Sequence, residues 1–377
     1  MKLINKTIII ISQQNWGDMF VSKHHYALEL SKKGNKVFFI NSPDQNKELN
    51  YGQVKIEETK YPNLYIVKHR FFFSYILRFK ARFIFDKLVS IHINRIINKI
   101  NSHIDIVWSF DISNTIPLKF FPKKALKIFM PVDEPLTKSG IAAAETAGII
   151  ISVTNEILEK YYQYDVPKLF INHGVAETYI NEIFQENINS PIRVGLSGNF
   201  LRPDIDRKTL LEIVKTNPNI IFECWGSIHY KNSNLSSYAD KEAAEFVDKL
   251  CNLPNTVIHG PINPLILSEK LKEVDCFLIC YDIKKDQSKG TNYHKILEYM
   301  ASGKVIISNN VTTYQNHPDL IIMSQSRENN NGLPVLFKNV IQDIREHNSL
   351  AKQQTRISFT KGYLYSRQIE KIEISLQ

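Results

Sequence analysis

A lysine and a glutamate three residues apart are the residues of this sequence whose types and spacing first suggest chemistry. They are Lys295 and Glu298, in the stretch NYHKILEYMASGKVIIS at 292–308. The pattern predicts a helix that begins near Tyr293, ends at a small-residue turn and is followed at once by a buried strand. The spacing of three places both side chains on one face of that helix.

The chemistry that this pair suggests is the binding of a nucleoside diphosphate. A helix N-terminus carries unpaired N–H groups that suit a phosphate, and Lys295 adds a full positive charge there. A carboxylate at Glu298, one turn further on, can accept two hydrogen bonds from a ribose diol. The alternative is an ordinary exposed Lys/Glu pair.

Turns that contain glycine follow three strand-like runs in the second half of the chain, and glycine lets a backbone approach a ligand closely. None of these turns fits GxGxxG, and no GxxxxGK[ST] occurs, so the sequence predicts neither a nicotinamide nor a flavin cofactor, and we expect no cofactor. The turn residues with ligand potential are Gly198, Asn199, Gly226, Ser227 and Gly260.

The elements that must position these residues are strands and helices in alternation. Strand-like apolar runs alternate with amphipathic stretches from residue 7 to 174, and the alternation restarts at residue 192. This rhythm predicts two Rossmann-like α/β domains, each with a parallel sheet, which face each other across a cleft where open sheets bind ligands. We place the domains at 1–182 and 190–357, with a C-terminal helix at about 358–377 that packs back on the first.

The whole chain resembles the GT-B-fold glycosyltransferases of the broad group-1-like bacterial superfamily that makes surface polysaccharides. The residues that carry the resemblance are the GN turn at 198–199, INHGV at 171–175 and KILEYMASGKVIIS at 295–308. The last is the most specific, because a Lys/Glu-bearing helix is followed by a small-residue Gly-Lys turn and a strand.

The resemblance implies a nucleotide-sugar donor and an acceptor that is a saccharide or is linked to a lipid. Glu298 would bind the ribose hydroxyls of the donor. Lys295 and the loop at 288–292, which contains Thr291 and Asn292, would lie near the donor phosphates or the donor sugar. One departure concerns Gly290, since many retaining members carry a second glutamate at that position.

The resemblance also implies how the leaving diphosphate is stabilised. Arg202 or Lys208 would neutralise its growing charge, so that no metal is needed. The triplet Asp204-Ile205-Asp206 is the carboxylate pair that could hold a divalent ion. It lies among basic residues where a helix is predicted to begin, so we favour N-capping and local ion pairs for it.

The first domain must supply the acceptor side. Candidates are the loop SQQNWGDMF at 12–20, the histidines His24 and His25, and Asp133 in PVDEP. Long loops at strand ends usually serve ligands. Asp133 or its neighbour Glu134 could act as a base or could cap the next helix, and each histidine could equally be a packing residue.

Composition limits the setting and the partners. The formal net charge is +9, from 47 Lys+Arg against 38 Asp+Glu in 377 residues, which favours an anionic partner. Four cysteines without a CxxC pair argue against a disulfide framework and for a reducing, cytoplasmic location. No nucleic-acid motif occurs.

The segment at 69–88 mixes aromatic and basic residues, and the sequence predicts one long helix over about 75–101. Phe72, Ile76, Phe79 and Phe83 form one apolar stripe, and a second stripe lies beside it. One stripe must pack on the domain, and the other could contact an anionic membrane surface at the inner face of the cell membrane. The alternative is that both stripes are core.

Two other functions are compatible with the same residues. One is a nucleotide-sugar epimerase or phosphorylase-like enzyme of the same fold, which shares the donor residues. The other is a non-catalytic nucleotide-binding protein at the membrane surface.

Overall fold

The structure, a computed structural model, describes residues 1–17, 20–184, 186–229 and 241–377. The chain divides into two compact units. Unit 1 consists of Met1–Asn172 with Tyr365–Gln377, and unit 2 of His173–Leu364. The change from one unit to the next therefore falls at 172/173 and 364/365, whereas the sequence places it at 182/190 and about 358.

The residues just after 172 belong to unit 2 because their backbone and side chains are bound there. Val175 N–H donates to the Tyr363 carbonyl at 3.0 Å, and Asn181 N–H donates to the Ala301 carbonyl at 2.8 Å. Tyr179 is buried in the hydrophobic core of unit 2. The residues from 173 to 182, which the sequence-based division assigns to the first domain, thus belong to unit 2.

Unit 1 is built on an eight-stranded sheet that is parallel apart from one edge pair. Its strands are β1 (Thr7–Ile11), β2 (Lys36–Ile40), β3 (Val54–Glu58), β4 (Leu64–His69), β5 (Ile106–Ser109), β6 (Leu126–Phe129), β7 (Ile149–Ser152) and β8 (Lys168–Phe170). The spatial order is β3-β4-β2-β1-β5-β6-β7-β8. In the register of the central strand β1, Ile9 lies opposite Phe38 on one side and Val107 on the other.

The helices of unit 1 that precede residue 173 connect these strands. They are α1 (Ser22–Lys32), α2 (Leu77–Lys80), α3 (Arg82–Ile100), α4 (Lys138–Ala142) and α5 (Asn155–Glu159). The run Ile8 to Ile11 is fully buried, as expected for a parallel strand covered on both faces. The parallel α/β fold predicted for this half is confirmed.

Unit 2 is built on a six-stranded parallel sheet in the order β11-β10-β9-β12-β13-β14. Its strands are β9 (Arg193–Ser197), β10 (Ile221–Trp225), β11 (Thr256–Gly260), β12 (Cys276–Ile279), β13 (Val305–Ser308) and β14 (Ile322–Met323). Its helices are α6 (Arg207–Thr216), α7 (Lys241–Cys251), α8 (Pro264–Lys270), α9 (Lys295–Ala301), α10 (Leu333–Gln342), α11 (Ile344–His347) and α12 (Leu350–Lys361). The alternation of strands and helices predicted for this half is confirmed.

The last helix, α13 (Tyr365–Ser375), belongs to unit 1. Its Tyr365 ring stacks on His25 with a centroid distance of 4.8 Å. The Glu373 carboxylate accepts from Leu3 N–H at 2.7 Å and pairs with Lys33 at 2.9 Å. The C-terminal helix predicted at about 358–377 is therefore divided, because the chain turns at 362–364 between α12 and α13.

The predicted long helix at 75–101 is wrong, since α2 and α3 are separated at Ala81, whose φ of −150° and ψ of 66° are not helical. The alternative that both apolar stripes are core is also wrong. Phe79 is 74% exposed and Phe83 is 83% exposed, whereas Leu77 packs on the core of unit 1. Among the helices of the described residues, none combines the length and the apolarity needed to cross a bilayer.

The edge strand β3 is missing from the sequence-based account. It pairs antiparallel with β4 and carries the sequence VKIEE, with charged and half-buried residues in alternation. Such a strand lacks the continuous apolar run that marks a buried parallel strand. The hairpin of β3 and β4 closes one edge of the sheet.

Candidate functional site

Three glycine turns lie side by side at the carboxyl ends of β9, β10 and β11 in unit 2. Gly198 N–H donates to the Trp225 carbonyl at 2.9 Å, and Gly226 N–H donates to the Gly260 carbonyl at 2.8 Å. The next residues continue this pattern, since Phe200 N–H donates to the Ser227 carbonyl at 3.0 Å. The turns predicted from sequence are therefore neighbours, joined by backbone hydrogen bonds.

Two of these turns admit no side chain. Gly198 and Gly226 have φ of +137° and +139°, which L-residues rarely adopt. A Cβ at 226 would lie 1.6 Å from the Gly198 carbonyl oxygen, and a Cβ at 198 would lie 2.7 Å from Lys295 Nζ. Glycine is required here for close contact between backbone segments and for access to the lysine.

Lys295, the first residue of α9, extends its ammonium group to this point. Its side chain is 8% exposed, and Nζ donates to the Ser197 carbonyl at 2.5 Å and to Tyr281 Oη at 2.7 Å. Burial by itself lowers the pKa of the ammonium, but the neighbouring hydroxyls of Tyr281 and Tyr299 outweigh burial, so that the pKa is raised. An ammonium has three donors, so one N–H remains for a ligand.

Two tyrosines that the sequence analysis missed hold Lys295 and the first glycine turn. Tyr281 follows β12 and accepts from Lys295, and Tyr299 accepts from Ser197 N–H at 2.7 Å. The Tyr299 ring stacks on Phe277 with a centroid distance of 4.0 Å. A position directly after a buried strand was the available signal for Tyr281, whereas nothing in the local sequence separates Tyr299 from a core residue.

Glu298 lies in the same helix as Lys295 and is half-buried. Within the described residues its carboxylate makes no hydrogen bond and no ion pair, so the predicted alternative of an exposed Lys/Glu pair is wrong. Desolvation by the surrounding protein raises the pKa of Glu298 to about 7, and the charge of Lys295 lowers it in part. A half-buried carboxylate without a protein partner is free to accept hydrogen bonds from a ligand.

The loop between β12 and α9 is organised around one buried carboxylate. Asp286 accepts from Ser288 Oγ at 2.6 Å, from Gly290 N–H at 2.9 Å and from Tyr293 Oη at 2.8 Å. The predicted donor-binding residues Thr291 and Asn292 are both buried in this loop. The spacing Asp-x-Ser-x-Gly was a signal for such a turn.

Gly290 occupies the place where the resembled family often has a glutamate. Its φ is +66°, and a Cβ there would lie 2.8 Å from the Asn310 carbonyl oxygen. The loop conformation therefore excludes a side chain at 290, and any contact to a donor sugar must come from another residue.

The basic cluster after the first glycine turn is partly neutralised within the protein. Arg202 makes a bidentate ion pair with Asp204, and Asp206 caps α6 by accepting from Thr209 N–H at 3.1 Å. The prediction of capping and local ion pairs for this carboxylate pair is confirmed. Lys208 is exposed on the first turn of α6.

In unit 1, His24 fixes the loop that precedes α1. Val21 N–H donates to Nδ1 at 3.1 Å, so the proton lies on Nε2 and is donated to the Asn15 carbonyl at 3.1 Å. Burial lowers the pKa of both His24 and His25 to about 4, so both rings are neutral at pH 7. The packing alternative describes His24, because both of its ring nitrogens are bonded within the protein.

Asp133 lies exposed in the loop after β6, and the expectation that it or Glu134 caps the next helix is wrong. Thr137 caps α4, with its hydroxyl accepting from Gly140 N–H at 3.1 Å. The sequence analysis missed Lys23, a buried residue of α1. Burial lowers the pKa of Lys23, against the opposing charges of Asp133 and Asp111.

The loop at 12–20 lines two pockets at the carboxyl ends of the strands of unit 1, although its residues 18 and 19 lie outside the described part. Asn15 and Trp16 border a polar pocket of about 480 Å³. Ser12 and Gln13 border a second pocket of about 230 Å³. The loop therefore borders ligand-sized space, and its role on the acceptor side stays a prediction.

No protein-family model matches the chain, and no curated protein matches it. Solved structures do. Sucrose-phosphate synthase from Thermosynechococcus elongatus matches with a TM-score of 0.68 at 11% identity over 98% of both chains. Anabaena Alr3699/HepE, in complex with UDP and glucose, matches with a TM-score of 0.68 at 11% identity over 98% of this chain and 99% of its own.

A third match is WaaG, a glycosyltransferase involved in lipopolysaccharide biosynthesis. Its TM-score is 0.58 at 12% identity, over 97% of this chain and 98% of its own. These likenesses span both units of the chain. The chain has the GT-B fold. The family resemblance inferred from sequence is thus confirmed at the level of the fold, and the GT-B neighbours are glycosyltransferases.

In this GT-B chain, Gly226→Ala tests whether the glycine turns are required. We expect a loss of roughly 3 kcal/mol or more in the free energy of unfolding, because a strained backbone alone costs about 1–3 kcal/mol for a non-glycine residue and the new Cβ also meets the Gly198 carbonyl. Urea-induced unfolding of the variant and of wild type measures this change in the free energy of unfolding. Gly332→Ala is the matched control, since no atom lies within 4 Å of its Cβ position. Equal stability of the two variants would contradict the assignment.

Proposed function

We propose that this protein is a glycosyltransferase that moves a sugar from a nucleoside-diphosphate donor to a saccharide or lipid-linked acceptor in bacterial surface polysaccharide synthesis. In this proposal unit 2 binds the donor and unit 1 binds the acceptor. The GT-B fold supports a transferase, and the HepE structure with UDP and glucose supports a nucleotide-sugar donor. The polysaccharide role is supported by the likeness to WaaG.

The observation that carries the proposal is the carboxylate of Glu298. It is half-buried, it lacks a protein partner among the described residues, and it lies one helical turn from the ammonium of Lys295. A ribose diol would supply the two hydrogen-bond donors that this carboxylate lacks. The remaining N–H of Lys295 would then bind a phosphate oxygen of the same ligand.

The charge of the leaving diphosphate must be stabilised when the sugar–phosphate bond breaks. Lys295 supplies a fixed ammonium beside Gly198, where no side chain intervenes. Arg202 keeps an exposed guanidinium face because Asp204 binds only one edge of it, and Lys208 is exposed on the following helix. Removing one such electrostatic group typically lowers the rate by roughly 10²–10³-fold.

Release of nucleoside diphosphate is the experiment that tests the function. Wild-type protein is incubated with UDP-, GDP- and dTDP-sugars, with and without a panel of saccharide and lipid-linked acceptors. A transferase releases diphosphate when an acceptor is added. Interconversion of the donor sugar without release would indicate an epimerase. Tight nucleotide binding without turnover would indicate a non-catalytic binding protein.

Excess chelator should leave this activity unchanged. Asp204 and Asp206 are occupied by Arg202 and by the cap of α6, and side-chain cations take the place of an ion. The measurement is diphosphate release after treatment with EDTA. Activity lost on chelation and restored by magnesium or manganese would contradict the metal-independent mechanism.

Glu298→Ala should weaken nucleotide binding by about 1.5–3 kcal/mol, the usual contribution of hydrogen bonds to a charged group. Isothermal titration calorimetry with the tightest-binding nucleoside diphosphate measures this loss. Glu212→Ala, which removes an exposed carboxylate from α6, is the matched control. Unaltered affinity in the Glu298 variant would rule out the ribose contact.

The same contact should make binding depend on pH. Glu298 has a pKa of about 7 in the free protein, and a diol stabilises the ionised form, so the pKa falls on binding. The carboxylate therefore supports binding fully above pH 7, and its contribution weakens up to about tenfold per unit as the pH falls below 7. In Glu298→Gln this component should vanish and leave only the titration of the nucleotide. Identical pH profiles would contradict the assignment.

We further propose that the protein is cytoplasmic and binds the inner face of the membrane through Phe79 and Phe83, flanked by the exposed Lys80 and Lys87. Two neighbouring exposed aromatics offer apolar area, and each basic residue near an anionic bilayer adds about 1 kcal/mol that salt screens. Arg78 and Arg82 hold backbone carbonyls at 113 and 114 and so serve the fold.

Vesicles that contain phosphatidylglycerol should therefore sediment with the protein at low salt and release it as the salt rises. Lys80→Glu with Lys87→Glu should abolish sedimentation, and so should Phe79→Ser with Phe83→Ser. Tyr162→Ser removes an equally exposed aromatic elsewhere in unit 1 and should change nothing. Wild-type protein that ignores these vesicles at low salt would refute the membrane proposal.

A further inference from the structure

A pocket of about 230 Å³ in unit 1 is lined by one cation that has no ion-pair partner among the described residues. The pocket lies at the carboxyl ends of β1, β2 and β5, and α2 together with the residues just before it forms the remaining wall. Its charged lining residues are Arg78 and Asp111. The two residues differ in how much of their hydrogen-bonding capacity is used by other groups of the protein.

The carboxylate of Asp111 accepts hydrogen bonds from its own loop and from Gln13, in the loop that follows β1. Its Oδ1 accepts from Gln13 Nε2 at 2.9 Å and from the N–H and hydroxyl of Ser113 at 3.0 and 2.5 Å. Its Oδ2 accepts from Thr115 N–H at 2.7 Å and Ile116 N–H at 2.9 Å. A carboxylate offers about four acceptor sites, so five donors leave none for a ligand.

Arg78, in contrast, uses only part of its hydrogen-bonding capacity within the protein. Nη1 donates to Tyr75 Oη at 2.5 Å, and Nη2 donates to the Ser113 carbonyl. No carboxylate of the described residues lies within 4 Å of its nitrogens. A guanidinium has five N–H donors, so three remain, and Asp111, the other charged residue of the pocket lining, does not pair with it directly.

A chain of hydroxyls connects these two groups and fixes their geometry. Tyr75 accepts from Arg78, so its own proton is directed to Thr115 Oγ1 at 3.3 Å. Thr115 then donates to Ser113 Oγ at 2.7 Å, and Ser113 donates to Asp111. Each hydroxyl accepts once and donates once in this chain, which holds the guanidinium in place at the pocket wall.

We propose that this pocket binds an anionic group of the acceptor, a phosphate or carboxylate carried by the sugar, with Arg78 as the recognising cation. The assignment of this anionic group to an acceptor rests on the proposed function. A guanidinium with free donors recognises oxyanions better than it recognises hydroxyls. The N–H and O–H dipoles of the five donors around Asp111 point at its carboxylate and partly offset its charge toward such an anion.

The test uses three sugars of similar size as probes: glucose 6-phosphate, glucuronate and glucose. Calorimetry with the full chain should detect one or both of the charged sugars binding more tightly than glucose, and the two charged arms distinguish phosphate from carboxylate. Arg78→Gln should lower the affinity for the charged sugar by about ten- to a hundredfold, the range expected for hydrogen bonds to a charged group. Lys99→Gln, which removes an exposed cation from α3, should leave binding unchanged.

A second variant keeps the proposal testable if Arg78→Gln fails to fold. Gln45 lines the pocket, is exposed and makes no hydrogen bond among the described residues, so Gln45→Glu adds a negative charge without removing a support. This variant should bind the charged probe several-fold more weakly than wild type and should bind glucose with the same affinity. Equal binding of the charged probe by wild type and Gln45→Glu, or an equal loss in Lys99→Gln, would overturn the proposal.

Nucleotide binding, measured in the same samples, separates this inference from the proposed function. Arg78→Gln and Gln45→Glu should bind nucleoside diphosphate as wild type does. Wild-type protein that binds nucleotide but neither charged sugar would refute the anionic acceptor alone. Protein that binds no nucleotide would refute the proposed function itself.

Discussion

The buried ammonium of Lys295 is the interaction on which the candidate site of unit 2 depends. It joins the end of β9, through the Ser197 carbonyl, to the residue that follows β12, through Tyr281. A charge at such a position is costly to bury unless hydrogen bonds compensate it. Two strand ends and the start of α9 are therefore fixed relative to one another by a single side chain.

The glycines complete this arrangement from the other side. A side chain at 198 would displace the ammonium, and a side chain at 226 would separate the first two turns. The site is thus made as much by the absence of atoms as by functional groups. It follows that substitutions here act on shape and charge together, because the backbone carbonyl that contacts Lys295 belongs to the same turn as Gly198.

The fold was largely predictable, and the site only in part. Buried parallel strands are marked by short apolar runs such as TIIII, whereas β3 mixes charged and apolar residues and shows no such run. The pair Lys295 and Glu298 was visible because both lie in one local helical pattern. Tyr299 was not, because its role depends on a hydrogen bond to Ser197, about a hundred residues away in sequence.

The same limit applies to Arg78. Its sequence neighbours are aromatic and basic, which suggests a surface, and only the tertiary fold brings it to a pocket wall beside Ser113. For Asp133 the local pattern suggested a role that the fold does not give it. A carboxylate before a helix suggests a cap, but Thr137 stands one residue before α4 and takes that place. Local patterns rank such candidates, and the fold decides between them.

The return of α13 to unit 1 has a consequence for biosynthesis. Tyr365, Ile369 and Ile372 are part of the hydrophobic core of unit 1, although most of that core precedes residue 173. Domains generally fold as units while the chain leaves the ribosome. Unit 2 is contiguous and has all of its residues first, so unit 1, the first to be translated, is the last to be completed. A stop codon that removes only the final helix would leave unit 2 whole and unit 1 with an open core.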